Sequence, residues 1–206
     1  NNVDYTMKRA AAFIASFLLA ALPFGASAAG EQADAGSASE AARGKSIVVY
    51  FSASGNTRAA AEKIAELTGS DLMEIVPEEK YTEADLNWHD GESRTSVEKD
   101  DESIRPAIKP DTKNLADYDT VFLGYPIWWG TAPKVLWNFV EKHDFTGKTV
   151  LPFCTSHSSS EGESGKTLER LAGNKGTWRD AKRFPEHPTD DEIGAWVNGT
   201  GFALKK

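Results

Sequence analysis

The sequence predicts an α/β fold: a parallel sheet of five strands covered on both faces by helices. Three observations carry that expectation. Ile47-Val48-Val49-Tyr50-Phe51 is a short, fully apolar run of β-branched and aromatic residues, as in a strand buried on both faces. It passes through Ser52-Ala53-Ser54-Gly55-Asn56-Thr57 straight into a helical pattern, with Ala60, Ile64 and Leu67 at helix spacing. From Ser46 onward, apolar runs and helical patterns keep alternating.

The N-terminus reads as an address label. Met7, the expected initiator, precedes Lys8-Arg9, an apolar stretch from Ala10 to Leu22, then Pro23 and Gly25. Ala26-Ser27-Ala28 fits a small-x-small cleavage site. The thirteen residues from Ala10 to Leu22 span about 20 Å as a helix, short of a bilayer core of roughly 30 Å. No retained membrane span is expected. Residues 1–28 are therefore expected to be upstream sequence plus a signal peptide, cut near Ala28/Ala29. The mature protein would then be exported, periplasmic or extracellular, by a route the sequence leaves open. Residues 29–45 are small, polar and aperiodic, and are expected to form a flexible linker before a domain over 46–202.

The turn after the first strand points to an anion site. Gly69 is placed to stop the following helix. Backbone N–H groups and the positive end of that helix converge on one spot, and hydroxyls on Ser52, Ser54 and Thr57 can add donors. A single capping residue would satisfy a helix start; six consecutive small or polar residues exceed that need. Gly55 is not followed by Lys, and the pattern is not G-x-G-x-x-G. The loop suits a monoester phosphate held by neutral donors.

Strand two is expected over about Leu72–Val76, followed by a long charged excursion from Pro77 to Tyr118. Helical turns are expected in it near Thr82–Leu86 and Thr95–Asp101, most of it solvated. Tyr81 and Trp88 are exceptions, since large aromatics in an acidic loop need something to cover, a ligand edge or the adjacent core. Strand three, Thr120–Gly124, delivers Tyr125 to Gly130 to its carboxyl end, where open α/β sheets bind ligands. Thr131 is expected to cap the next helix and Pro133 to sit in its first turn. Val135, Leu136, Phe139 and Val140 form its inward stripe, with Trp137 packed alongside. At least one of Trp128 and Trp129 is expected to face the site, core packing being the alternative for each.

Strand four, about Thr149–Thr155, contains Pro152, which lacks a ladder donor, so a bulge or early strand end is expected there. Cys154 is the single cysteine; it cannot form an internal disulfide and reads as a small core residue. Its run lacks the spaced Arg of a phosphatase loop. Gly165-Lys166-Thr167 resembles the tail of a Walker motif, but the required first glycine falls on Ser160, and Glu161 and Glu163 would repel polyphosphate. Trp178–Phe184 is the expected fifth strand, and Thr189 is expected to cap a last helix through Val197.

Two of these loops carry a resemblance. Tyr50-Phe51-Ser52-Ala53-Ser54-Gly55-Asn56-Thr57-Arg58 resembles the FMN-phosphate loop of the flavodoxins, and Phe122 to Pro133 resembles their flavin-flanking loop. The acidic stretch Tyr81 to Trp88, with Ser103-Ile104-Arg105-Pro106, is similar to a bacterial flavodoxin-like subfamily. The resemblance covers about residues 46–202. It implies a flavodoxin-like three-layer sandwich with strand order 2-1-3-4-5, and FMN as cofactor. It further implies that Ser52, Ala53, Ser54, Gly55, Asn56 and Thr57 hold the phosphate. Pro126, Ile127, Trp128, Trp129 and Gly130 would flank the ring, with Thr155, Ser156, His157 and Ser158 at its pyrimidine edge.

Composition narrows the function. The formal charge of −8 and pI near 5.1 argue against nucleic acid, whose phosphates call for clustered Lys and Arg. The resemblance implies electron transfer through bound FMN, with an unidentified redox protein or NAD(P)H as partner. Two alternatives stay open: an NAD(P)H-dependent FMN/quinone oxidoreductase, and a flavin-free binding module on the same fold. No catalytic side chain and no metal ligand is expected.

Overall fold

The computed structural model describes residues 44–205; the expected signal segment and all but the last two residues of the expected linker lie outside the described residues. No helix among the described residues is long and apolar enough to cross a membrane.

The first strand, β1 (Ser46–Tyr50), sits between β2 (Asp71–Glu74) and β3 (Thr120–Pro126), parallel to both, with Val48 level with Leu72 and Phe122. Outside β3 lies β4 (Thr149–Thr155), also parallel, with Gly124 level with Phe153. The sheet runs β2-β1-β3-β4-β5, the order expected, with β5 at Thr177–Trp178. Successive strand residues point to opposite faces, so a continuous apolar run feeds two cores at once. Ile47, Val49, Val121 and Leu123 face one side, against α3 (Lys134–Lys142) and α4 (Ser164–Leu171). Val48, Tyr50, Phe122 and Phe153 face the other, against α1 (Asn56–Thr68) and α5 (Asp190–Gly199). A short α2 (Arg94–Asp100) belongs to the excursion.

The helix punctuation follows the sequence closely. Gly69 ends α1 in the left-handed conformation at φ 70°, its N–H donating to the Ala65 carbonyl. Thr189 opens α5 with a reciprocal capping box to Glu192. Gly124 is demanded by packing, since a Cβ there would stand 2.2 Å from Phe153 Cζ.

Two expectations need correction. Pro152 produces neither a bulge nor an early end, and β4 runs unbroken through it. The gap appears in its neighbour instead. The carbonyls of Lys148 and Val150 accept from Thr177 and Arg179, so even-numbered residues of β4 face the outer strand. Pro152 therefore presents its missing donor to that edge, and the fifth strand splits there into β5 and β6 (Lys182–Phe184). Thr131 does not cap α3; Pro133 holds that position and no side chain caps the helix. Most of the excursion is exposed, as expected, around a small buried polar patch. Ser93, Thr95, Ser96 and Glu98 are buried, with Thr95 Oγ1 donating to the Asp85 carbonyl at 2.9 Å and Ser96 Oγ to that of Asp90 at 2.7 Å. Its polar side chains are satisfied internally, which lets them leave water.

Candidate functional site

The parallel strands β1, β3 and β4 end side by side, and the loops leaving them enclose a cleft of about 670 Å³. That is the place where an α/β sheet of this order opens between its crossovers.

The loop after β1 supplies one wall, with Ala53, Ser54 and Asn56 lining the cleft. Gly55 takes φ 97°, a left-handed turn that an L side chain rarely adopts, and opens α1 directly. No side chain caps α1; the first helix bond is Ala59 N–H to the Gly55 carbonyl. The N–H groups of Asn56, Thr57 and Arg58 have no acceptor among the described residues. These three orphan N–H groups at a helix start attract an anion through their partial charge. The two neighbouring hydroxyls each have one partner within the chain. Ser52 Oγ accepts from Gly55 N–H at 3.1 Å, and Thr57 Oγ1 is buried against Thr155 Oγ1 at 2.7 Å. Ser54 alone of the three is exposed without a partner among the described residues. Arg58 turns away, bonding Glu74 at 2.7 Å and the Tyr50 hydroxyl at 3.2 Å.

Beyond β3, Pro126 to Gly130 form the second wall. Trp128 and Thr131 exchange two backbone bonds, N–H to carbonyl each way, closing a tight turn over Trp129 and Gly130. Both central residues are left-handed, Trp129 at φ 54° and Gly130 at φ 75°. Such a conformation is costly for a tryptophan, roughly 1–3 kcal/mol, and it lets two adjacent indoles line one cleft. Thr131 closes this turn through its backbone, two residues before the N-cap position held by Pro133. Trp128 is half-buried, edge-on to Phe51 at 5.5 Å and to Tyr81 at 5.1 Å. Trp129 is 43% exposed at the mouth, with Lys99 Nζ 4.6 Å from its ring centroid.

Thr155, Ser156, His157 and Ser158 make the third wall, joined by Ser159. Arg183 of β6 grips this loop from behind, Nε to Ser156 Oγ at 3.1 Å and Nη2 to the Ser156 and His157 carbonyls at 2.9 and 3.0 Å. His157 is largely exposed, its Nδ1 3.6 Å from Glu186. Just before the loop, burial pushes the Cys154 thiol up to about 12, so it stays protonated and inert as expected of a core residue.

Twelve of the fifteen residues singled out in the sequence line the cleft; Ser52, Gly55 and Thr57 support it from behind. Leu86, Trp88 and Thr95 close the outer side, and Glu186 the far end. Trp88 is 64% exposed with its ring tilted against His89 at 3.4 Å, whereas Tyr81 goes to the core. Leu86, Thr95, Arg183 and Glu186 carry no local signal, because only the folded chain brings them to the loops.

The family model for flavodoxin matches residues 45–200. The chain belongs to the flavodoxin family. Two crystal structures are similar over nearly their whole length. One, a candidate flavoprotein from Bacteroides eggerthii DSM 20697, is 43% identical with a TM-score of 0.71, covering 76% of this chain and 98% of its own. The other, a candidate flavoprotein from Bacteroides uniformis ATCC 8492, is 42% identical at the same TM-score, covering 75% and 98%. A flavoprotein from Lactobacillus acidophilus NCFM, crystallised in complex with FMN, shares the fold at 22% identity and a TM-score of 0.57, covering 75% and 99%. No curated protein matches the chain.

In this flavodoxin-family chain the cleft combines two environments. One end offers amides and an alcohol to an anion. The middle offers indole and aliphatic surface to a flat ring. Among the described residues no group of His, Cys, Asp and Glu could hold a metal ion.

Proposed function

We propose that this chain binds FMN in the cleft and serves as an electron-transfer flavoprotein. The observation that supports it best is the adjacency of the uncapped amide cradle at α1 and the aromatic-walled slot beyond β3. A mononucleotide with a dianionic tail and a flat ring needs those two environments side by side. Bound FMN would supply the redox chemistry itself.

The chain's own residues do the rest. The N–H groups of Asn56, Thr57 and Arg58 and the Ser54 hydroxyl hold the phosphate without a cation. Ile127, Trp128 and Trp129 cover the ring and exclude water, and Trp88 guards the outer edge. Indole and aliphatic surroundings oppose added negative charge, which lowers the potential at which the ring accepts electrons. The amides of the Ser156–Ser158 loop meet the ring's polar edge. The electron donor or acceptor is a redox protein or NAD(P)H. Residues 1–28 direct the protein out of the cytoplasm, and the mature chain begins near Ala29 with residues 29–45 as a tether.

Purified protein is expected to quench the fluorescence of added FMN with one-to-one stoichiometry and to take on a flavin absorption spectrum. Unquenched FMN would remove this reading and favour a flavin-free module. Sustained NAD(P)H oxidation by the loaded protein alone would replace a carrier with an oxidoreductase.

A further inference from the structure

Arg183 lies in β6 level with Cys154, on the edge of the sheet behind the third wall. Its fork makes three bonds to the loop, two of them from one nitrogen to the successive carbonyls of Ser156 and His157. In a trans peptide the carbonyl and the N–H of one unit point in opposite directions. The N–H groups of His157 and Ser158, which belong to those two units, are therefore turned away from Arg183. Neither has an acceptor among the described residues, and both residues line the cleft. Successive N–H groups on one side form an anion-binding concavity. The guanidinium itself is paired with no carboxylate among the described residues. The carboxylate facing the loop, Glu186, lies 3.6 Å from the His157 ring.

We infer that Arg183 is a positioning residue that raises the reduction potential of the bound flavin from behind the loop. The planar fork fixes both peptide units, and its charge polarises them, so that their N–H groups are stronger donors on the cleft side. Taking up two electrons and one proton from an external reductant leaves a flavin ring with one added negative charge. Donors fixed in advance where charge develops stabilise it without reorganising. The effect opposes that of the tryptophans, and the potential is set between them. This inference rests on the FMN reading.

The test compares wild type, Arg183→Gln and Arg183→Lys, each loaded with FMN and titrated with dithionite against a reference dye. Arg183→Gln is expected to lose about tenfold in affinity for reduced over oxidised FMN, a midpoint about 30 mV more negative. Arg183→Lys, which keeps the charge and loses the fork, should fall between. Equal midpoints in wild type and Arg183→Gln overturn the inference. Should Arg183→Gln fail to fold, the ¹⁵N-labelled wild type decides. On reduction of bound FMN its His157 and Ser158 amide resonances should move more than those of Asn56 and Thr57 at the phosphate. Resonances that stay in place overturn the inference alone, whereas wild type that takes up no FMN overturns the functional reading and this one with it.

Discussion

Ser54→Asp is expected to weaken FMN binding about thirtyfold and to leave the thermal stability of the FMN-free protein unchanged. Ser54 is exposed on the wall of the cleft and has no partner among the described residues, so the substitution removes no contact. A carboxylate at the positive end of α1 is, if anything, favourable there. With FMN it would face a phosphate. Two unit charges about 5 Å apart at an effective dielectric near 20 repel by about 3 kcal/mol. One side of the cleft is open to water, which reduces that to about 2 kcal/mol, or roughly thirtyfold in affinity. Fluorescence titration of FMN against both proteins measures it. Riboflavin, which lacks the phosphate, should bind the two alike. Equal FMN affinities would place the phosphate away from α1.

Legibility in the sequence follows the range of the interaction. The strand run Ile47 to Phe51, the Gly69 stop and the Thr189 cap are local, and their chemistry is written within a few residues. The three loops of the cleft were equally legible, because each directly follows a strand end. What could not be read depends on partners far along the chain. Thr57 reads as a phosphate donor, but its neighbour Thr155, ninety-eight residues on and 2.7 Å from its hydroxyl, is brought there only by the fold. The consequence of Pro152 lay in the strand beside it, not in its own. Trp129 gave no sign of a left-handed backbone, since that state is held by the Trp128–Thr131 bridge. Arg183 had no motif around it, and only the pairing of β6 with β4 brings it to the loop.

Glu98→Ala is expected to cost about 3 kcal/mol of stability and to loosen the second wall of the cleft. Glu98 is 6% exposed and accepts from the Tyr81 hydroxyl and from Arg94 Nε, both at 2.8 Å. Burial, with the Glu98 bond second, pushes the Tyr81 phenol far above its ordinary range, so it remains a donor at every working pH. Removing the carboxylate strands a buried hydroxyl and a guanidinium, and breaking one side of a buried pair costs about 3–5 kcal/mol. Arg94 keeps the Glu79 carbonyl at 2.9 Å and the face of Tyr81 at 4.0 Å, which places the loss at the lower end. The effect then travels one contact further. Tyr81 props Trp128 edge-on at 5.1 Å, and a phenol released from its anchor no longer fixes that indole. Chemical denaturation of the FMN-free protein gives the first effect, and FMN titration gives the second as a severalfold loss of affinity. Tyr81→Phe cuts the same anchor but leaves Glu98 its Arg94 partner, so it should lose less stability than Glu98→Ala and show the same severalfold loss of FMN affinity. If Glu98→Ala is destabilised yet binds FMN as tightly as wild type, the excursion braces the fold without shaping the cleft.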